Sequence, residues 1–349
     1  MSDSTSQLSA SRRIGTTSVT VPALGFGSSA LGNLYQAIDD AAAGATVRHA
    51  LARGFRYFDT APHYGFGLSE SRLGEELPAD GSVLVSSKVG RVLEPVPPEE
   101  RHKPRHGFVD AAPFEPVFDY SYDGVMRSFE SSCRRLKRDR LDILFAHDLG
   151  EMTHGADHAR RFKEFFDGGY IAMRALRDSN AVGAIGLGVN EWQICEQALA
   201  VADFDCMLLA GRYTLLEQTA LDRFLPMCEE RRVSIIVGGP YNSGILVHGA
   251  NGGARARHDY APAPAHILAR VASIERICES HRVPLPAAAL QFPIAHPAVV
   301  SVIPGMGTAE QIEDTLRLAG VDIPDALWSD LKTAGLLHPD APTPVRRSG

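Results

Sequence analysis

The chain is predicted to fold as one α/β domain, a (β/α)8 TIM barrel with long loops at the C-terminal face of its strands. Three observations lead there. Short apolar runs alternate with helical patterns along most of the sequence, and strand-then-helix alternation builds a parallel sheet with helical crossovers. Eight such units fit into 349 residues, and a barrel needs about 250 residues plus insertions. Several runs end abruptly on polar side chains, Asp59, Lys88 and His147, and barrel enzymes place their sites at the C-terminal ends of strands.

Taken in order, the predicted strands are 23–27, 56–59, 84–87, 143–146, 184–189, 205–209, 234–237 and 299–303. Amphipathic segments near 42–53, 69–77, 122–137, 159–179, 191–202, 219–232, 266–281 and 308–319 supply the helices. Residues 1–11 read as a disordered tail, 12–340 as the barrel and 341–349 as a C-terminal tail. Two insertions follow strand C-termini. Residues 91–120 carry Pro95, Pro97, Pro98, Pro104, Pro113 and Pro116, and residues 248–265 are rich in Gly, Ala and Pro. Long loops without secondary structure of their own are commonly lids or binding loops, so both are expected over the substrate mouth.

Composition narrows the partners. The chain is 44% hydrophobic and 22% charged, with a net charge of −7. That balance argues against nucleic acid or an anionic membrane as the main partner, leaving a small-molecule substrate. The basic run from Arg134 to Arg140 reads as a solvated helix end whose cations suit the C-terminal dipole. Cysteines 133, 195, 206, 228 and 278 form no CxxC pair, so a zinc or redox motif is not expected. Unpaired thiols fit a reducing compartment. The polar N-terminus lacks an apolar signal core, and no run approaches the ~18 apolar residues of a membrane span. The expected location is cytoplasmic.

Strand ends converge on one rim of a barrel, so Asp59, Lys88 and His147 should meet there, with Tyr64 in the loop beside Asp59. A phenol ordinarily titrates near pH ~10. An ammonium about 4 Å away, at an effective dielectric of about 20, favours the phenolate by about 4 kcal/mol, so the phenol is expected below its ordinary value. Asp59 would aim Lys88, and His147 can hydrogen-bond a reacting oxygen. Such a set moves one proton on or off a carbonyl or carbinol oxygen while a nicotinamide or flavin handles the hydride. Singly, an Asp–Lys pair reads as a structural ion pair and a lone His as a satisfied polar residue. Four matching types at four convergent positions favour the joint reading.

The segment Phe58-Asp59-Thr60-Ala61-Pro62-His63-Tyr64-Gly65, with Ser69-Glu70 and Leu73-Gly74 after it, resembles the signature of the aldo-keto reductase superfamily. The similarity runs from Arg13 to about Leu318. It includes Ser86-Ser87-Lys88, the run ending in His147, Gly186-Leu187-Gly188-Val189-Asn190 and Val302-Ile303-Pro304-Gly305. The resemblance implies Tyr64 as proton donor or acceptor, Lys88 and Asp59 as its tuners, and His147 as the group that orients substrate. It also implies a nicotinamide dinucleotide across the barrel mouth without a Rossmann domain. Gly25-Phe26-Gly27 followed by Gly32 lacks the spacing of a dinucleotide fingerprint and is read as the first strand and its loop.

By the same resemblance, Gly27 and Asp59 border the cofactor and Asn190 holds its carboxamide. Pro240, Tyr241, Ser243 and Gly244 wrap the pyrophosphate. Pro304, Gly305, Met306, Gly307, Gln311 and Asp314 surround the adenosine ribose. Members that prefer the phosphorylated cofactor carry a Lys near 305 and an Arg near 311. Here Gly305 and Gln311 stand there, with Glu310 and Asp314 nearby. Neutral and acidic groups cannot balance a phosphate charge, so NAD is expected over NADP. Gly238-Gly239 replace an aromatic that often stacks on the nicotinamide, and Ala210 replaces a Gln; Arg212 or Tyr213 is expected to compensate.

The stretches 28–35, 118–121 and 209–218 are similar to a branch that oxidises cyclic hemiacetals, which includes L-fucose (D-threo-aldose) 1-dehydrogenases and pyridoxal 4-dehydrogenase. Tyr64 would then act as base, and a lactone would leave. Tyr35, His63, Phe66 and Tyr120 are the expected substrate contacts. Rival readings are an NADPH-dependent carbonyl reductase, which lacks its Arg at 311, and a metal-dependent hydrolase using His147, His154 and His158. A cofactor-sensing channel subunit is a third, with no partner-binding extension to support it.

Overall fold

The computed structural model describes residues 10–344. Eight parallel strands form one sheet in sequence order: β1 Phe26–Gly27, β2 Tyr57–Asp59, β3 Leu84–Val89, β4 Leu141–His147, β5 Val182–Val189, β6 Cys206–Ala210, β7 Ser234–Gly238 and β8 Val299–Ile303. Bridges Leu24 to Val302 and Gly27 to Gly305 close β1 onto β8, completing the barrel. The strands read as nearly continuous apolar runs because both faces are covered. Inside lie Tyr57, Ile143, Phe145, Ala184, Cys206, Leu208, Ile236, Val300 and Ile303; a larger apolar cluster lies between the strands and the helices.

An antiparallel hairpin, Ser11–Arg13 with Thr20–Pro22, precedes the barrel. Its Ile14, Val19 and Val21 are buried in the same cluster as the barrel interior. The Arg12 guanidinium donates to the carbonyls of Ile294 and Val299, and the Gly15 N–H donates to Ser234 Oγ. Ser11 is therefore a strand residue rather than the end of a tail. Residues 1–9 and 345–349, assigned to tails from sequence, lie outside the described residues.

The helices follow the predicted order with local corrections. The expected helix 159–179 is three pieces: His158–Glu164, a π-helical turn Phe165–Gly169 and Tyr170–Asp178. The wide turn lies where backbone comes close. A Cβ at Gly169 would lie 2.5 Å from the Tyr120 carbonyl oxygen, and one at Gly168 would lie 2.7 Å from the Tyr122 nitrogen. The segment 219–232 is a 3-10 turn, Thr219–Leu221, followed by helix Phe224–Arg231. Helices Leu285–Gln291 and Asp325–Thr333 were not anticipated. Each is preceded by a proline, Pro284 or Pro324, whose missing N–H costs nothing at a helix start.

Both insertions carry structure. The first folds into a ribbon, Arg91–Pro95 with Phe114–Phe118. The second holds the helix Ile245–His248 and a small hairpin, Arg257–His258 with Ala261–Pro262. The basic run is tied to the helix Leu68–Glu76 and the loop after it: Arg135 pairs with buried Glu70, Lys137 with Glu75, and Arg138 donates to the Pro78 carbonyl. Among the described residues no helix is long and apolar enough to cross a membrane, and no cluster of His, Cys, Asp or Glu is arranged to hold a metal ion.

Candidate active site

The sheet register brings the polar strand ends together. Asp59 pairs with Ser86 across β2 and β3, Lys88 with Phe145 across β3 and β4, and His147 with Gly188 across β4 and β5. The Lys88 ammonium, 1% exposed, donates to Asp59 Oδ2 at 2.7 Å, to the Thr60 carbonyl at 2.8 Å and to Tyr64 Oη at 3.2 Å. Three acceptors saturate its three protons. The His147 ring stands edge-on to Tyr64, centroids 6.1 Å apart.

A second layer holds this set. Asp59 Oδ1 accepts from Ser86 Oγ at 2.7 Å, and Ser86 Oγ also meets Tyr57 Oη at 3.0 Å. Ser28, Thr60 and Ser69 share a hydroxyl chain that ends on the Asp59 carbonyl. The Tyr64 loop lies backbone to backbone against the loop after β1. A Cβ at Gly65 would lie 2.4 Å from the Gly32 carbonyl oxygen, and one at Gly32 would lie 2.5 Å from the Tyr64 carbonyl carbon. Neither glycine can take a side chain without moving the phenol.

Charge behaves differently from the sequence expectation at one group. Burial lifts the Tyr64 phenol well above its ordinary value, Asp59 and Asp148 lift it further, and Arg91 opposes them. The downward pull expected of Lys88 is offset because Asp59 sits 2.7 Å from the same ammonium. His147 lies well below its ordinary range, first through burial and then through Arg91 and Lys88. The ring is therefore neutral at pH 7 and can donate to or accept from a substrate oxygen. His63 is lowered by burial, with Arg91 and His147 adding to it.

These residues open onto a cleft of about 850 Å3. Asp59, Tyr64, Lys88 and His147 line one end. Gly27, Asn190, Pro240, Tyr241, Ser243, Gly244, Gly305, Gln311 and Asp314 line the rest. Pro304, Met306 and Gly307 are not in the wall. Met306 is buried beneath it, and the Gly307 amide donates to Gln311 Oε1 instead. Of the expected substrate contacts, Tyr35 and His63 line the cleft and Phe66 and Tyr120 do not. Phe66 is buried against Phe108 and Ala111. Tyr120 is buried behind β4, its hydroxyl donating to the His147 carbonyl at 2.6 Å and also reaching His154. Tyr213 is buried against Phe292 and His296, and Arg212 pairs with Asp259, so neither takes the place of the aromatic missing at Gly238-Gly239.

Other wall residues had no individual signal. His106 and Phe108 come from the first insertion and Tyr260 from the second, while Arg317 lies one helical turn beyond Asp314 and pairs with it at 3.1 Å. The sequence places both insertions at the mouth, but their proline- and glycine-rich composition does not reveal which side chain turns inward. Asp259 and Tyr260 both have left-handed backbone, φ 48° and 64°, so their hairpin is strained. It is pinned by Arg212 to Asp259, His258 to Glu217, the Tyr260 N–H to Ser243 Oγ, and the Arg257 guanidinium 5.0 Å from the Tyr35 ring centre.

The aldo/keto reductase family model matches residues 23–335. The chain is 41% identical to pyridoxal 4-dehydrogenase from Microbacterium luteolum, over 93% of this chain and 97% of that one. It is 37% identical to D-threo-aldose 1-dehydrogenase from a Pseudomonas species, over 93% and 96%. Among solved structures, an aldo-keto reductase from Bacillus halodurans superposes with a TM-score of 0.70 at 21% identity, covering 97% of this chain and 98% of that one. That last likeness is one of fold.

Proposed function

Because the chain belongs to the aldo/keto reductase family and is an oxidoreductase of CH–OH groups that uses a nicotinamide cofactor, we propose that it oxidises a cyclic hemiacetal to its lactone. Tyr64 is the base and NAD the preferred partner. The observation that carries this reading is the chain Asp59–Lys88–Tyr64, with Lys88 Nζ 3.2 Å from the phenol oxygen. The named relatives, which act on pyridoxal and on a D-threo-aldose, support a substrate class in which a ring carbon carries a hydroxyl.

The wall residues fit a dinucleotide. A Cβ at Gly305 would meet only Ser29 Oγ, at 3.7 Å, and one at Gly239 only the Gly211 nitrogen, at 3.6 Å, so side chains there would occupy the cleft. Tyr241 Oη is buried at the wall without a hydrogen-bond partner among the described residues. Asn190 and Tyr241 with Ser243 would hold the two ends of such a ligand's reactive half, and Gln311 with Asp314 its ribose. When bound, the nicotinamide accepts the hydride from the substrate carbon.

The chain's own residues handle the proton. His147, neutral, donates to or accepts from the substrate hydroxyl and turns it toward Tyr64. Tyr64, as the phenolate that Lys88 stabilises, takes the hydroxyl proton and becomes the neutral phenol, which must lose that proton to solvent before the next turnover. Burial raises the phenol, and the base is its ionised form, so oxidation rises with pH into the alkaline range. Preference for NAD is supported at the far end, where Asp314 pairs with Arg317 and, among the described lining residues of that end, leaves no unopposed cation for a ribose 2′-phosphate.

An aldose is the leading substrate. A second reading, pyridoxal or a like ring, is favoured by the aromatic wall of Tyr35, Phe108 and Tyr260. The test is purified protein with NAD or NADP against L-fucose, D-arabinose, L-galactose and pyridoxal, following reduced cofactor and lactone. Lactone formed with NAD, and lost in Tyr64→Phe while NAD still binds, supports the proposal. A Tyr64→Phe protein that keeps most of its turnover refutes it.

A further inference from the structure

We propose that Asp148 is a positioning residue that fixes the side-chain amide of Asn190. It turns the amide's carbonyl oxygen into the cleft, so that the cleft selects a ligand amide N–H at that point. The inference rests on reading the cleft as a nicotinamide dinucleotide site.

Asp148 follows His147 at the end of β4 and has left-handed backbone, φ 52°, a conformation costly for a residue with a Cβ. Four contacts impose it. Tyr120 Oη reaches the carbonyls of His147 and Asp148 at 2.6 and 3.1 Å. The Asp148 N–H donates to the Gly188 carbonyl at 2.9 Å. The Arg91 guanidinium donates to Oδ2 at 2.8 Å, both partners largely buried. Glycine at 90, φ 100°, lets the strand carrying Arg91 pass Tyr120: a Cβ there would lie 2.3 Å from the ring.

With Oδ2 held by Arg91, Oδ1 faces Asn190 and accepts from its Nδ2 at 3.3 Å. An ionised carboxylate only accepts, so the amide must turn its NH2 to Asp148. The Asn190 carbonyl oxygen is left for the cleft, which both residues line. A buried ion pair adds little net stability over an apolar pair of the same shape. This one is bent into a strained backbone beside the reacting end of the cleft, where orientation matters most. His147 Nε2, 3.5 Å from Asp148 Oδ2, is within the same arrangement.

Calorimetric titration with NAD and with its 3-acetylpyridine analogue, which has a methyl in place of the amide nitrogen, reads the orientation directly. In Asp148→Asn, Arg91 claims the one remaining carbonyl oxygen. The new amino group then faces Asn190, and the Asn190 amide inverts. Wild-type protein should prefer NAD by about tenfold, the cost of one unpaired hydrogen-bonding group. Asp148→Asn should narrow that preference to under about threefold. A variant that only loosens the fold weakens both dinucleotides equally and keeps the preference, which overturns the proposal. Equal binding of the two by wild-type protein also overturns it, so the test survives a variant that does not fold. Asn190→Ala separates the premise: unchanged NAD affinity there refutes both readings, whereas weakened NAD binding with an intact preference in Asp148→Asn refutes the proposal alone.

Discussion

Replacing Lys88 by Met perturbs the proposed base and the fold in separable ways. Two unit charges 3.2 Å apart, the Lys88–Tyr64 distance, attract by about 5 kcal/mol at an effective dielectric of about 20. That sets an upper bound of about 4 pH units on the phenol's response. Asp59, 2.7 Å from the same ammonium, cancels much of the field, so the rise of kcat with pH should move upward by about 1–2 pH units. The variant also strands the Asp59 carboxylate, 3% exposed, with Ser86 as its remaining side-chain donor. An uncompensated buried charge costs about 3–5 kcal/mol. Adding Asp59→Asn removes that charge and should restore most of the stability without restoring the cation. The assay is urea unfolding of wild type, Lys88→Met and the double variant, with kcat against pH for each at saturating cofactor. A Lys88→Met protein whose kcat rises at the wild-type pH would refute the reasoning, because Lys88 would then serve only the fold. The double variant, which also loses the Asp59 charge that lifts the phenol, should lie between wild type and Lys88→Met in its pH profile.

Further outcomes follow from other parts of the molecule. Gln311→Arg places a cation at the cleft wall and should raise kcat/KM for NADP relative to NAD by about tenfold; an unchanged ratio in steady-state assays rejects that wall as the ribose end. Tyr120→Phe leaves the His147 and Asp148 carbonyls without their donor and should cost about 1–3 kcal/mol in urea unfolding. Its substrate KM should stay within about twofold, since no substrate contact is lost. Burial brings His296 from 6.5 down to about 4. The unfolded chain therefore takes that proton first: stability is full above pH 6.5 and falls as the pH drops toward 4. Unfolding of His296→Gln across that window should show a shallower decline than wild type.

The strands were legible because parallel strands buried on both faces are simply apolar, and Asp59, Lys88 and His147 stood out where those runs stopped. Helix Leu285–Gln291 was missed for the opposite reason. Leu285, Ala287, Ala288, Ala289 and Leu290 are all buried, so no polar face marks a period. The ribbon Arg91–Pro95 with Phe114–Phe118 was masked by prolines. Pro116 nonetheless pairs with Leu93, as a two-stranded ribbon allows because half its backbone groups face no partner. Tyr120 and Phe66 have the composition of pocket residues, and only tertiary context turns them inward. Asp148 sat beside His147 in plain sight; nothing in one dimension tells that its carboxylate reaches Arg91 and Asn190.

The N-terminal hairpin has a kinetic consequence. Its Ile14, Val19 and Val21 are buried in one apolar cluster with Tyr57, Phe145, Ile236 and Val300 of the barrel interior, which plugs the barrel on the side away from the cleft. Under the role proposed for Tyr64, the described residues put the cleft mouth, by which the reactants come in, on the abstracted proton's way out. Its escape to bulk solvent is tied to traffic at that doorway, so proton release and product departure should keep the same clock.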